Sequence, residues 1–148
     1  MGEPEIKEGK IDLPLAKVES GKDSRMEHVD VDEDRGKKAV SRYLVLESLA
    51  GRISWVELEP ITGRTHQLRV HCAENGWPIV GDAIYGGAAR DGDLILQLLS
   101  RIVTVPLYKN RDAVTVTAPV PLHMREGLAA CGWIDNDPPT ETLRLQAG

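Results

Sequence analysis

Phenylalanine is absent from this 148-residue chain. Its core must therefore rest on Leu, Ile, Val and three Trp. Cysteine is scarce as well. Cys72 and Cys131 lie far apart, and neither belongs to a Cys-x-x-Cys pair. This argues against a disulfide framework or a structural zinc site and leaves both as small core residues of a reducing compartment. No apolar run is long enough to span a bilayer. The N-terminus lacks the charged-then-apolar order of a signal peptide. The expectation is a cytoplasmic chain with no membrane partner.

A basic excess is missing too. The net charge is −5, from 18 Lys and Arg against 23 Asp and Glu. Nucleic-acid binders usually carry the opposite balance, so the total argues against RNA. Distribution matters more, because a basic groove can sit on an acidic body. Much of the acid lies in the first 35 residues, notably Asp30-Val31-Asp32-Glu33-Asp34. The stretch from Gly63 to His71 holds Arg64, His66, Arg69 and His71 and no acid.

What is present is an ordinary soluble composition, 41% hydrophobic and 28% charged. The length suits one domain or part of one, with no repeat. Residues 1–36 read as irregular, apart from a short strand from Gly9 to a turn at Pro14-Leu15. Ser41 to Ser48 and Arg52 to Glu59 read as strands. In the second, Val56 and Leu58 alternate with Glu57 and Glu59. Ala50-Gly51 sits at a hairpin position between them. Pro60 to Gly63 should form a turn, and a short helix should follow, capped by Thr65 and ended by a left-handed Gly76. Ile102 to Val105 and Ala113 to Ala118 read as strands, and Pro121 opens a last helix to about Ala130. The expected fold is α+β, a mixed and largely antiparallel sheet with short helices. The expected organisation is one domain portion over 1–134 and a loose tail over 135–148.

The segment from Pro60 to Gly87 carries the chemistry. A strand stops at a glycine turn, Arg64 follows, and a helix begins. Such a helix start presents free N–H groups and partial positive charge, which suits a phosphate or carboxylate. His66 and Arg69 are three apart and share a helix face. His66 and His71 are five apart, which turns them roughly 140° away from each other at ~100° per residue, so they do not share a metal. Adjacent His71 and Cys72 diverge. No partner is spaced to make Cys72 a nucleophile. The bland alternative is a solvated arginine and a structural histidine.

Thr62-Gly63-Arg64-Thr65-His66-Gln67-Leu68-Arg69-Val70-His71, followed by Gly76-x-Pro78-Ile79-x-Gly81-Asp82-x-x-Tyr85-Gly86, resembles the C-terminal signature of the RluA-type RNA pseudouridine synthases. Gly9-x-Ile11-Asp12-x-Pro14-Leu15, Ala39-x-Ser41-x-Tyr43 and Ala118-Pro119-Val120-Pro121 resemble flanking strands of that family, and the likeness runs from about residue 9 to residue 133. The resemblance implies an isomerase that flips a uridine, breaks its N1–C1′ bond and rejoins the base through C5, without metal or cofactor. It implies that Arg69 pairs with the family's catalytic aspartate. Arg64, Thr65 and His66 would meet the RNA, a structured rRNA or tRNA. Asp82 is expected to shape a turn, and Tyr85 to pack with its hydroxyl bonded.

Two departures accompany the likeness. Leu99 stands where relatives often have His. The aspartate motif itself, His-Arg-Leu-Asp-x-x-Thr-Ser-Gly, does not occur in these 148 residues, nor does the tyrosine motif that follows it. The expectation is therefore a fragment that is inactive alone, with an incomplete sheet that self-associates or binds the missing N-terminal segment. The alternatives are a retained RNA-binding module without chemistry and a protein-interaction module.

Overall fold

A computed structural model describes residues 3–20, 23–28, 36–49, 51–87, 92 and 94–136. The chain forms two compact units, Met1–Gln97 and Leu98–Gly148. The acidic run at 30–34 and all of the expected tail beyond Asn136 lie outside the described residues. Among the described residues no helix is long and apolar enough to cross a membrane.

The first unit is built on a three-stranded antiparallel sheet. β1 (Glu8–Asp12) pairs with β4 (Val40–Leu49), which pairs with β5 (Ile53–Pro60). Register puts Tyr43 opposite Leu58 and Val45 opposite Val56, so these apolar residues share one face. Lys10, Arg42 and Glu59 align on the other, where Arg42 and Glu59 pair at 3.6 Å. Gly9 lies opposite Tyr43, and the ring covers it: a Cβ there would sit 2.8 Å from the ring. The same ring meets Trp77 at 5.1 Å.

The expectation that residues 1–36 are irregular is corrected by a second sheet. β2 (Leu15–Ser20) and β3 (Asp23–His28) form an antiparallel hairpin. Their charge-rich sequences hide the two-residue period, and tertiary ties hold them. Leu15 exchanges both backbone hydrogen bonds with Lys37, at 3.0 and 2.9 Å. Leu15, Ala39 and Val70 form the buried core, with Met26 and Tyr85 packed against it.

Helix α1 (Gln67–Glu74) supplies Val70 and Cys72 to the interior. Its start corrects the expected Thr65 cap: the N-cap is His66, with no side-chain cap bond. Its end follows the expected rule. Gly76 is left-handed at φ 81°, Gly76 N–H bonds Ala73 O, and Trp77 N–H bonds Cys72 O. This pair of bonds is the Schellman motif, which only a positive φ at Gly76 permits. Beyond it, Gly81 at φ 77° is pressed against the chain at Ile95.

The second unit pairs β6 (Ile102–Val105) with β7 (Val114–Thr117) in an antiparallel hairpin, with all eight residues exposed. Helix α2 (Leu122–Ala130) follows Pro121 and ends in the same motif as α1, through Gly132 and Trp133. The α+β expectation holds, with every described strand pairing antiparallel and the strands divided among three sheets.

Two of the left-handed glycines of the first unit, Gly76 and Gly81, should differ in cost. A Cβ at Gly76 meets open space, whereas one at Gly81 would lie 2.3 Å from the Ile95 carbonyl. Gly76→Ala is expected to lose about 1–2 kcal/mol from the conformation alone. Gly81→Ala is expected to lose about 1–3 kcal/mol more from overpacking. Urea denaturation measures both, and equal losses would contradict this packing.

Candidate functional site

Gln67 explains how the segment before α1 is held. It is 3% exposed, yet every polar atom of its amide is used. Its Oε1 accepts from the Thr62 hydroxyl at 2.7 Å and from the Arg64 N–H at 3.0 Å. Its Nε2 donates to Val40 O at 2.8 Å and to Ser41 Oγ at 2.9 Å. Thr62 in turn accepts from Val40 N–H. One side chain thus staples the start of α1 to the start of β4 and to the turn before the helix.

The network continues to His71, which is fully buried. His71 Nε2 faces the Leu13 carbonyl at 3.0 Å, so it must donate. Nδ1 faces Ser41 Oγ at 2.9 Å and can accept the hydroxyl proton that Gln67 leaves free. His71 is a structural clasp between the strands and the helix. Cys72 beside it is 2% exposed, and burial pushes its thiol up to about 12, with Asp82's charge adding to the rise. A thiol so placed is no nucleophile.

The segment Arg64-Thr65-His66 lies exposed ahead of the helix. Arg64 Nε donates to Lys38 O at 3.0 Å. His66 adopts φ 53°, ψ 16°, the one non-glycine residue with positive φ among those described. Histidine enters this region more readily than most side chains, but the conformation still carries strain and marks a place worth chemical attention. It turns the imidazole toward Tyr85, whose hydroxyl lies 3.0 Å from Nδ1.

Arg69, one turn further, points to the same tyrosine. Its guanidinium carbon lies 5.2 Å from the Tyr85 ring centroid. The shared face expected from the spacing of His66 and Arg69 is therefore seen as a shared partner. Tyr85 also accepts from Met26 N–H at 3.1 Å, which fastens β3 to the site.

Arg69 makes a two-pronged pair with Asp82. Nε donates to Oδ2 at 2.9 Å and Nη2 to Oδ1 at 2.7 Å. The Asp82 side chain is fully buried and that of Arg69 is 15% exposed. Oδ1 also accepts from the Ile84 and Tyr85 amides, so Asp82 builds the expected turn as well. Burial pushes the Asp82 carboxyl up, but the Arg69 hydrogen bonds, the two amides and Arg69's charge outweigh it and hold it below its ordinary value. The Asp82 hydrogen bond raises Arg69, against burial and with the charges of Asp82 and Tyr85. The guanidinium stays protonated and acts as neither base nor nucleophile. Its Nη1 has no partner among the described residues, which leaves one edge of the fork for a second carboxylate or a phosphate.

Arg64, Thr65, His66 and Arg69 thus lie on one continuous stretch, with His66 and Arg69 joined through Tyr85. The sequence reading missed Gln67 and the pairing role of Asp82. No group of three potential metal ligands occurs among the described residues.

The Arg69–Asp82 pair should set the acid stability of the first unit. Asp82's carboxyl is lower folded than unfolded, so its contribution is present above about pH 4 and is lost as pH falls through its folded value. Asp82→Asn should cost about 3–5 kcal/mol at pH 7, because it leaves a mostly buried guanidinium unpaired. It should also flatten the decline in stability below pH 4. An unchanged acid transition in the variant, followed by tryptophan fluorescence, would rule out this role.

Comparison with known proteins agrees with this geometry. The family model described as RNA pseudouridylate synthase matches residues 2–74. An uncharacterized RNA pseudouridine synthase of Zymomonas mobilis is 41% identical over 122 residues, covering 81% of this chain and 53% of the relative. The dual-specificity RNA pseudouridine synthase RluA of Escherichia coli is 37% identical over 121 residues, covering 80% and 52%. The structure of human RNA pseudouridylate synthase domain containing 1 superposes with a TM-score of 0.64 at 30% identity, over 80% of this chain and 50% of that one. The chain therefore spans about half the length of each of these relatives. With the signature stretch folded around Arg69 and Asp82 and these likenesses on either side of it, the chain belongs to the RluA-type RNA pseudouridine synthase family.

Proposed function

We propose that this chain is the C-terminal part of an enzyme that isomerises uridine to pseudouridine in structured RNA, rRNA or tRNA, in the cytoplasm. The observation that carries the reading is the half-engaged guanidinium of Arg69. Asp82 fixes one edge of the fork, and the other is free for a catalytic carboxylate. A guanidinium so placed favours the ionised carboxylate and fixes its direction. In the proposed reaction that carboxylate drives cleavage of the N1–C1′ bond, and the freed base rejoins through C5. Arg69 is a positioning residue in this scheme. Arg64, Thr65 and His66 contact the RNA on the exposed stretch ahead of α1.

The His-Arg-Leu-Asp motif does not occur in the 148 residues, so we propose that they do not complete the reaction unaided. The apolar side chains exposed on β6 and β7 support association with a complementary segment or with a second copy. The absence of that motif also favours the second reading, a non-catalytic RNA-binding or protein-interaction module.

Tritium release from RNA labelled at uridine C5 separates these readings. The chain alone should release no tritium. A polypeptide carrying the His-Arg-Leu-Asp-x-x-Thr-Ser-Gly segment should bind the chain and restore release. Arg69→Ala should then lower the rate by several powers of ten, as loss of a central catalytic interaction commonly does. Turnover by the chain alone would show that the carboxylate lies within it. Stable binding of the added segment without any release would favour the non-catalytic module.

A further inference from the structure

The second unit turns between β6 and β7 through residues 106–113, all of them exposed. The turn holds an aromatic ring where none is needed for packing: Tyr108 is 56% exposed. The Arg111 guanidinium carbon lies 5.5 Å from the centroid of that ring. Lys109 stands between them in the chain. Among the described residues neither Lys109 nor Arg111 has an ion-pair partner, and the Tyr108 hydroxyl is unbonded. Lys109, Asn110, Arg111 and Asp112 line the shallow, open face of this turn.

Charge makes the place unusual for this chain. Residues 98–118 carry Arg101, Lys109 and Arg111 against Asp112 alone, in a chain of net charge −5. Arg101 donates to the Ala118 carbonyl at the base of the hairpin, which leaves the two tip cations available. A ring with a guanidinium over it offers flat faces for an unstacked base. An ammonium one residue away offers a point charge for phosphate. An acidic peptide would use the cations but not the ring, so the combination favours RNA.

We infer that the β6–β7 tip, through Tyr108, Lys109 and Arg111, is an RNA-binding surface on the second unit, distinct from the Arg64–His66 stretch on the first. An unpaired base stacks on Tyr108 and Arg111, and flanking phosphates meet Lys109 and Arg111. The inference rests on the RNA reading above and adds a second contact to it.

Fluorescence anisotropy of a labelled RNA hairpin with a uridine-containing loop, titrated with the 148-residue chain between 50 and 200 mM salt, provides the test. Lys109→Gln with Arg111→Gln should weaken binding about tenfold at the lowest salt. It should also reduce the slope of log affinity against log salt by roughly 1.4–1.8, from about 0.7–0.9 per lost phosphate contact. Tyr108→Ala should weaken binding roughly tenfold with the slope unchanged, as loss of one stacked base does. Tyr108→Phe should bind as the parent does. The side chains are exposed, so circular dichroism of all variants should match the parent. If the double variant binds like the parent while Arg64→Gln weakens binding, the tip does not touch RNA and the synthase reading stands. If Tyr108→Ala has no effect, or if poly-glutamate displaces the RNA at equal affinity, the base platform is refuted and an acidic protein becomes the partner. If the parent chain binds no RNA, both the inference and the RNA reading fail.

Discussion

The first unit depends on one buried ion pair. Asp82 has no exposed side-chain surface, and it accepts four hydrogen bonds, two from Arg69 and two from its own turn. Burying a carboxylate is costly unless its charge and lone pairs are met. Here they are met from two directions. The turn at Ile84 and Tyr85 fixes the carboxylate, the carboxylate fixes the guanidinium, and the guanidinium lies against the Tyr85 ring that the turn itself positions. The arrangement closes on itself, which is how a long flexible side chain comes to hold one direction.

Around that pair, a second polar layer sets the helix. Gln67, Ser41 and His71 pass hydrogen bonds from the Thr62 turn through β4 to Leu13. These groups are buried and paired, so they act as a specific lock rather than a sticky core. Tyr85 ties the ion pair to the helix start and to β3 by bonding His66 and the Met26 amide at once. The strained backbone of His66 is then a consequence of being held from both ends, by the stapled turn behind it and the tyrosine ahead.

Much of this was legible in the residues. Gly76 after a short apolar period marked the end of α1, because a left-handed position strongly favours glycine. Alternation in β5 marked its half-buried apolar face, since Val56 and Leu58 fall on one side of a pleat and the exposed Glu57 and Glu59 on the other. The β2–β3 hairpin was not legible, because its charged residues mask the period and its anchors, Lys37 and Tyr85, are distant in sequence. The start of α1 was misread for a related reason. Thr65 has the side chain of a cap, but Gln67, fixed by Val40 and Ser41 of another strand, already bonds the nearby amide and hydroxyl. Of the site, the shared direction of His66 and Arg69 followed from their spacing. The partnership of Arg69 with Asp82 did not, because 13 residues of non-helical and helical chain separate them and no period links the two.

A double-mutant cycle on Arg69 and Asp82 tests the central claim most directly. The four proteins are the parent, Arg69→Ala, Asp82→Ala and the double variant, each unfolded with urea at pH 7. If the pair holds the site, each single change leaves a buried charge alone, and the double change costs far less than their sum, with a coupling of about 2–3 kcal/mol. A coupling near zero would mean that the two side chains are neighbours without being partners, and that Arg69 owes its direction to something else.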